Sequence, residues 1–151
     1  MKVLLVDDSE LLRGAFRLFL RQAGFEVAGE AADGAEAVDM ATRLQPDLVL
    51  MDISMPGMNG IEATAEIRRR GLGAKVVIVS LHDNMEHVAR ALSAGAAAYV
   101  IKDNAAEELE QALSSALCGE VYVSPRIRPR SPNRRLPGAA PRGRQAIEAV
   151  D

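Results

Sequence analysis

Along the first 118 residues, apolar positions follow two alternating periods. Strand-like runs at 2–6, 25–31, 47–51, 76–79 and 98–101 are separated by stretches with apolar residues at helical spacing, at 9–23, 35–44, 58–70, 84–94 and 105–118. In the first helical stretch Leu12, Phe16, Phe19, Leu20 and Ala23 recur on one face, and in the last Leu109, Ala112, Leu113, Ala116 and Leu117 do so. Strands one, three and four are near-continuous runs of Val, Leu and Ile, the pattern of strands covered on both faces. The punctuation agrees with this reading. Gly24, Gly71, Gly95 and Gly119 each stand just past a helical stretch, where a left-handed cap needs no side chain, and Pro46 follows the second helix. Ser9 and Asn104 stand at N-cap positions, Asn104 with Glu107 three residues on. Strands joined by helical crossovers are parallel, and right-handed crossovers leave few topologies. The expected fold is α/β, a doubly wound five-stranded parallel sheet of order 2-1-3-4-5, with its switch point between strands one and three.

A chain of 151 residues with 48% apolar content suits one ordinary globular domain. No apolar stretch has bilayer-spanning length, and Lys2 leads straight into a strand, so a soluble, unexported, cytoplasmic protein with no membrane association is expected. The single Cys118 cannot form an internal disulfide and, within a helical apolar stripe, reads as a buried structural thiol. Charge divides the chain in two. Residues 1–124 hold 11 Lys and Arg against 19 Asp and Glu, a net −8, whereas residues 125–151 hold seven Arg against two acids, a net +5. The second part also contains five of the seven prolines and no aromatic residue, and so lacks the apolar content to offset its ordering entropy. We read a domain over 1–124 and a disordered Arg/Pro-rich tail over 125–151, apart from a turn of helix near 145–150.

The chemistry lies where the strands end. Strand one runs into Asp7 and Asp8, strand three into Asp52, strand four into Ser80 and strand five into Lys102. In open α/β sheets the ligand site is at this carboxyl edge. Three clustered carboxylates repel by roughly 4 kcal/mol per pair at ~4 Å and an effective dielectric near 20. Lys102 offsets one negative charge, and a divalent cation would balance the rest. With only oxygen ligands named, a hard ion is implied, and Mg2+ suits a half-open, hydrated site beside phosphate oxygens. The remaining carboxylate could then act as a nucleophile toward a phosphoryl group, with Lys102 and Ser80 as partners for its oxygens.

The stretches Val6-Asp-Asp-Ser9, Leu50-Met-Asp-Ile-Ser-Met-Pro-Gly-Met-Asn-Gly60, Ser80-Leu-His82 and Tyr99-Val-Ile-Lys102 make the chain resemble the receiver domain of two-component response regulators over residues 2–124. Glu30-Ala-Ala-Asp-Gly34, Tyr99-Val-Ile-Lys-Asp103 and Gly119-Glu-Val-Tyr122 add a likeness to the NarL/FixJ branch. The resemblance implies the flavodoxin-like receiver fold. It implies that Asp52 is the phosphoacceptor, taking its phosphoryl group from the phosphohistidine of a sensor histidine kinase. Asp7 and Asp8 then organise Mg2+ together with Asp52 and the backbone carbonyl of Ser54, and Lys102 contacts the phosphoryl group. By the same likeness Ser80 and Tyr99 form the switch pair that alters a binding face, Ser54 and His82 tune self-dephosphorylation, and a homodimer is plausible. Such a domain is a phosphoacceptor and not an enzyme in the ordinary sense.

The branch normally continues into a LuxR-type helix-turn-helix domain, but no amphipathic helix pair follows residue 124, so DNA reading by this chain itself is not supported. A truncated DNA-binding transcriptional regulator stands as an alternative on branch resemblance alone. A haloacid dehalogenase-type phosphatase also uses a strand-end Asp, but its motif is Asp-x-Asp, whereas Asp7 and Asp8 are adjacent. The remaining singled-out residues have plain readings. Asp33-Gly34 is a loop turn, His82 and His87 are isolated surface or loop histidines with His82 beside the site, Arg68 to Arg70 are a solvated helix end, and Tyr99 fits an ordinary core as well as a switch.

Overall fold

The computed structural model of the chain describes residues 1–127. Among these residues six strands and five helices alternate: β1 (Lys2–Val6), α1 (Glu10–Gln22), β2 (Glu26–Ala31), α2 (Gly34–Leu44), β3 (Leu48–Met51), α3 (Gly60–Arg69), β4 (Lys75–Ser80), α4 (Met85–Ala94), β5 (Ala98–Ile101), α5 (Ala105–Leu117) and β6 (Tyr122–Val123), with a 3-10 turn at Lys102–Asn104. The sheet is parallel throughout, in the order β2-β1-β3-β4-β5-β6. The doubly wound arrangement is as expected, and the strand count is corrected from five to six. Two residues are too few to show a period in sequence. β6 forms because Gly119, at φ 82°, turns the chain back and the Tyr122 amide donates to the Ala97 carbonyl at 3.2 Å.

The unbroken apolar runs are explained by helices on both faces. Leu4, Val6, Val49, Met51, Val76, Ile78 and Tyr99 point into one core with α2, α3 and α4, while Val3, Leu5, Leu48, Leu50, Val77, Val79, Ala98 and Val100 alternate with them into a second core beneath α1 and α5. Continuing that alternation past the strand ends puts Asp7, Asp52 and Lys102 on the α1/α5 face and Ser80 on the other, with Tyr99.

Helix starts are set by side-chain caps. Ser9 accepts from the Leu12 amide at 3.2 Å as its position suggested. Asp33, Asn59 and Asn84 cap α2, α3 and α4 in the same way, Asn59 in a reciprocal box with Glu62. Asn104 makes no side-chain cap bond, a correction to its expected role, because the 3-10 turn already leads the chain into α5 and the Ala105 amide is taken by the Lys102 carbonyl. Cys118 is corrected too. It is exposed at the end of α5, two positions off the buried stripe of Leu109, Ala112, Leu113 and Ala116. Arg68 to Arg70 do form an exposed helix end, with Arg69 and Arg70 both paired to Glu66. The expectation of a disordered tail falls, past Ile127, outside the described residues. Among the described residues no helix is long and apolar enough to cross a membrane.

Candidate functional site

β1 and β3 are central neighbours in register, with Val6 opposite Met51, so the residue that follows each strand stands beside the other. The Asp52 amide donates to the Val6 carbonyl at 3.1 Å and the Asp7 amide to that of Ala31, which fixes both aspartates at the carboxyl edge. One carboxylate oxygen from each of Asp7, Asp8 and Asp52 lies within 4.8 Å of the others. Asp7 and Asp52 are buried and Asp8 is exposed, so the cluster opens to solvent through Asp8. β5 delivers Lys102 to the same edge. Its Nζ lies 3.1 Å from Asp7 Oδ2 and 3.2 Å from Asp52 Oδ2, on a side chain only 11% exposed.

The electrostatics follow from that geometry. Burial pushes the Asp52 carboxyl above its ordinary value, and Asp7 adds like-charge repulsion; Lys102 and the Ser54 amide oppose them without prevailing. Burial also works against the Lys102 ammonium, but Asp52 and Asp7 outweigh it and hold the lysine above its usual range. Even with Lys102 in place, the cluster is therefore short of positive charge. A hard divalent cation fits this donor set, since it would meet three carboxylate oxygens open to water on one side.

Ser80 and Tyr99 occupy the opposite face, joined through one residue. The Ser80 hydroxyl accepts from the His82 amide at 3.0 Å, and the fully buried Tyr99 donates its hydroxyl to the His82 carbonyl at 2.7 Å. Burial raises the Tyr99 phenol to about 12, so it remains a donor. The exposed Ser54 places its hydroxyl 3.2 Å from His82 Nε2. His82 and His87 are not isolated: their rings stack in parallel with centroids 4.0 Å apart. The loop from Ser80 to Asn84, the start of α4 and the Ser54 side chain thus form one connected patch beside the carboxylates.

Several supporting residues were not singled out in sequence. Gly60 packs so tightly under the site that a Cβ would lie 2.0 Å from the Asp52 carbonyl oxygen, and a Cβ on Gly34 would lie 2.3 Å from that of Met58. The segment from Ile53 to Asn59 is thereby clamped at both ends by glycine, and Asp33-Gly34 is a cap and a close contact, not only a turn. Arg13 donates to the Asp7 carbonyl at 2.6 Å and to Glu30 at 3.1 Å, and Arg17 also binds Glu30 at 3.0 Å. The two arginines, Arg17 first, hold the Glu30 carboxylate below its usual range. The signal available in sequence was the i, i+4 spacing of Arg13 and Arg17 on the helix that follows the Asp pair.

Comparison with known proteins gives a consistent picture. Residues 3–114 match the family model described as the response regulator receiver domain. The nitrate/nitrite response regulator protein NarL of Escherichia coli K12 is 38% identical over 128 residues, covering 84% of this chain and 59% of NarL. The response regulator GacA of Pseudomonas aeruginosa is 40% identical over the same length, with 60% of its own chain covered. A LuxR-family two-component response regulator from Aurantimonas sp. SI85-9A1 superposes with a TM-score of 0.79 at 38% identity, over 83% of this chain and 91% of that one. The chain spans about three fifths of the length of the curated relatives it matches.

Proposed function

We propose that this chain, which belongs to the response regulator receiver domain family, takes a phosphoryl group onto Asp52 from the phosphohistidine of a sensor histidine kinase in the cytoplasm. The observation that carries this reading is the Lys102 ammonium bridging Asp7 and Asp52 at 3.1 and 3.2 Å at the carboxyl edge of the sheet. In the reaction one Asp52 carboxylate oxygen attacks phosphorus, the phosphorus–nitrogen bond of the donor breaks, and the imidazole leaves with the electron pair. Burial and Asp7 already disfavour the Asp52 carboxylate, and the acyl phosphate carries more negative charge than the carboxylate it replaces, so the product depends on Lys102 and a bound cation to offset that charge. Asp7, Asp8 and Asp52, with the Ser54 backbone carbonyl, would hold Mg2+, which would neutralise charge on the phosphoryl oxygens. Lys102 pairs with a further phosphoryl oxygen as it now pairs with the carboxylates.

The readout begins at Ser80. Turning its hydroxyl toward the phosphoryl group withdraws the acceptor of the His82 amide, and because the Tyr99 hydroxyl holds the His82 carbonyl, loop and ring respond together. Ser54 and His82, in contact at 3.2 Å, flank the path of a hydrolytic water and tune the lifetime of the acyl phosphate. The altered surface binds a partner or a second copy. Transcriptional output, which the names of several relatives carry, is proposed for a longer protein or a partner and not for residues 1–127. A phosphatase reading has no observation in its favour.

Incubation with acetyl phosphate and Mg2+ tests the proposal. The wild type is expected to gain one phosphoryl group in a Mg2+-dependent manner and Asp52→Asn none. Equal labelling of the two proteins would overturn the assignment.

A further inference from the structure

β6 does more than extend the sheet. Its ladder with β5 runs from Tyr122 to Ser124: the Tyr122 amide donates to Ala97 and the Ser124 amide to Tyr99, at 3.2 and 2.9 Å. Beyond it stands Pro125, which has no amide to continue the pairing. The next rung is built by a side chain, as the Ile101 amide donates to the Ser124 hydroxyl at 2.9 Å. That hydroxyl in turn donates to Glu108 on α5 at 2.6 Å, and the Tyr122 hydroxyl reaches the same carboxylate oxygen at 3.1 Å. Ser124 is 1% exposed, so the Ile101 amide has no water to fall back on. The bond to Glu108 is charge-assisted, which fixes the rotor so that its lone pair faces Ile101. A further sign of the tight contact is that burial, then Glu108, push the Tyr122 phenol up to about 12.

Tyr99 and Ile101, the two residues of β5 that Ser124 grips, are the switch candidate and the immediate neighbour of Lys102. Resting on the phosphoacceptor reading above, we infer that Ser124, oriented by Glu108, is a positioning residue for Lys102 and that it ties the chain following β6 to the phosphorylation state of Asp52. The coupling runs both ways. If an intact Ser124 rung helps Lys102 meet a phosphoryl oxygen, a phosphoryl group drawing on Lys102 must tighten the rung by the same factor. The segment leaving the domain at Pro125 is then anchored more firmly in the phosphorylated protein. This gives the chain a second readout, at the opposite side of β5 from the Ser80 loop.

The test uses the full chain and two substitutions outside the carboxylate cluster. Ser124→Ala removes a single oxygen, and Glu108→Gln keeps the shape but turns the charge-assisted bond into a weaker neutral one. Mg2+ affinity and the affinity for beryllofluoride at saturating Mg2+ are measured separately, because the first reads the aspartates and the second also reads Lys102. Ser124→Ala is expected to weaken beryllofluoride binding by about threefold to tenfold with Mg2+ affinity unchanged, and Glu108→Gln to give the same split at smaller size. Equal weakening of both affinities would mean general loosening, and no change in either would mean no coupling; each overturns the inference. If the wild type binds no beryllofluoride, the phosphoacceptor reading fails on its own account. The Ser124 rung is then judged by hydrogen exchange at the Ile101 amide, expected to be about tenfold faster in Ser124→Ala; an unchanged rate overturns the inference.

Discussion

Replacing Asp52 by Asn is expected to stabilise the metal-free protein at neutral pH. Lys102 Nζ, 3.2 Å from the Asp52 carboxylate, attracts it by roughly 5 kcal/mol at an effective dielectric of 20. Asp7 and Asp8, with oxygens within 4.8 Å, each repel it by roughly 3.5 kcal/mol on the same basis. The exposed Asp8 is screened by solvent, so the repulsions exceed the attraction only slightly, but the desolvation of a carboxylate 6% exposed adds to the same side. Removing the charge should therefore gain about 1–2 kcal/mol, or about 3–8 °C in Tm for a domain of this size. The sign of the pH dependence follows from a carboxyl whose folded pKa is raised above 3.8. The folded state holds its proton more tightly than the unfolded one, so the cost of Asp52 is complete above the folded value and disappears as pH falls through 3.8. Thermal melts of the two proteins in chelator from pH 3.5 to 7.5 provide the assay. A gap in Tm that opens with rising pH and narrows when Mg2+ is added to both agrees with the account. An Asn variant that melts below wild type at pH 7, or a gap that does not depend on pH, refutes the electrostatic reasoning.

Other substitutions separate the roles of the neighbours. Lys102→Ala leaves two buried carboxylates without their cation and should cost about 3 kcal/mol in chelator; Mg2+ should restore part of this, whereas a loss that Mg2+ leaves untouched in thermal melts counts against a shared site. Asp8→Ala, at an exposed position, should change stability by less than about 0.5 kcal/mol yet weaken Mg2+ binding at least about tenfold, as measured by titration. Gly60→Ala drives a Cβ into the Asp52 carbonyl and should cost about 2 kcal/mol or more and slow phosphoryl uptake. Gly57→Ala, at φ 73° with open space around it, should cost only about 1 kcal/mol, and equal losses on chemical denaturation would show that the close contact is not what matters at residue 60.

The architecture was legible because both faces of the sheet are covered, which turns β1, β3 and β4 into unbroken apolar runs, and because glycines with positive φ mark four helix ends. The carboxylate cluster was legible because each acid follows directly on a strand, and the strand register then brings Asp7 and Asp52 together. What escaped are contacts made by backbone geometry. Nothing in the letters shows that Gly60 lies against the Asp52 carbonyl, or that a serine hydroxyl would serve as a sheet rung beside Ile101. The Asn104 and Cys118 expectations failed for a related reason, since one extra 3-10 turn and the exact end of a helix decide them. His82 and His87 looked isolated because they are five positions apart across a helix start, where periodicity has no hold.

The proposed function stands or falls on Asp52 carrying the phosphoryl group. Its most direct test is to treat the wild-type protein with acetyl phosphate and Mg2+, reduce the acyl phosphate with borohydride, and locate the modified residue by peptide mass spectrometry. Homoserine is expected at position 52 alone, and absent when Mg2+ is withheld. Modification at Asp7, Asp8 or any other residue with position 52 left as aspartate would contradict it.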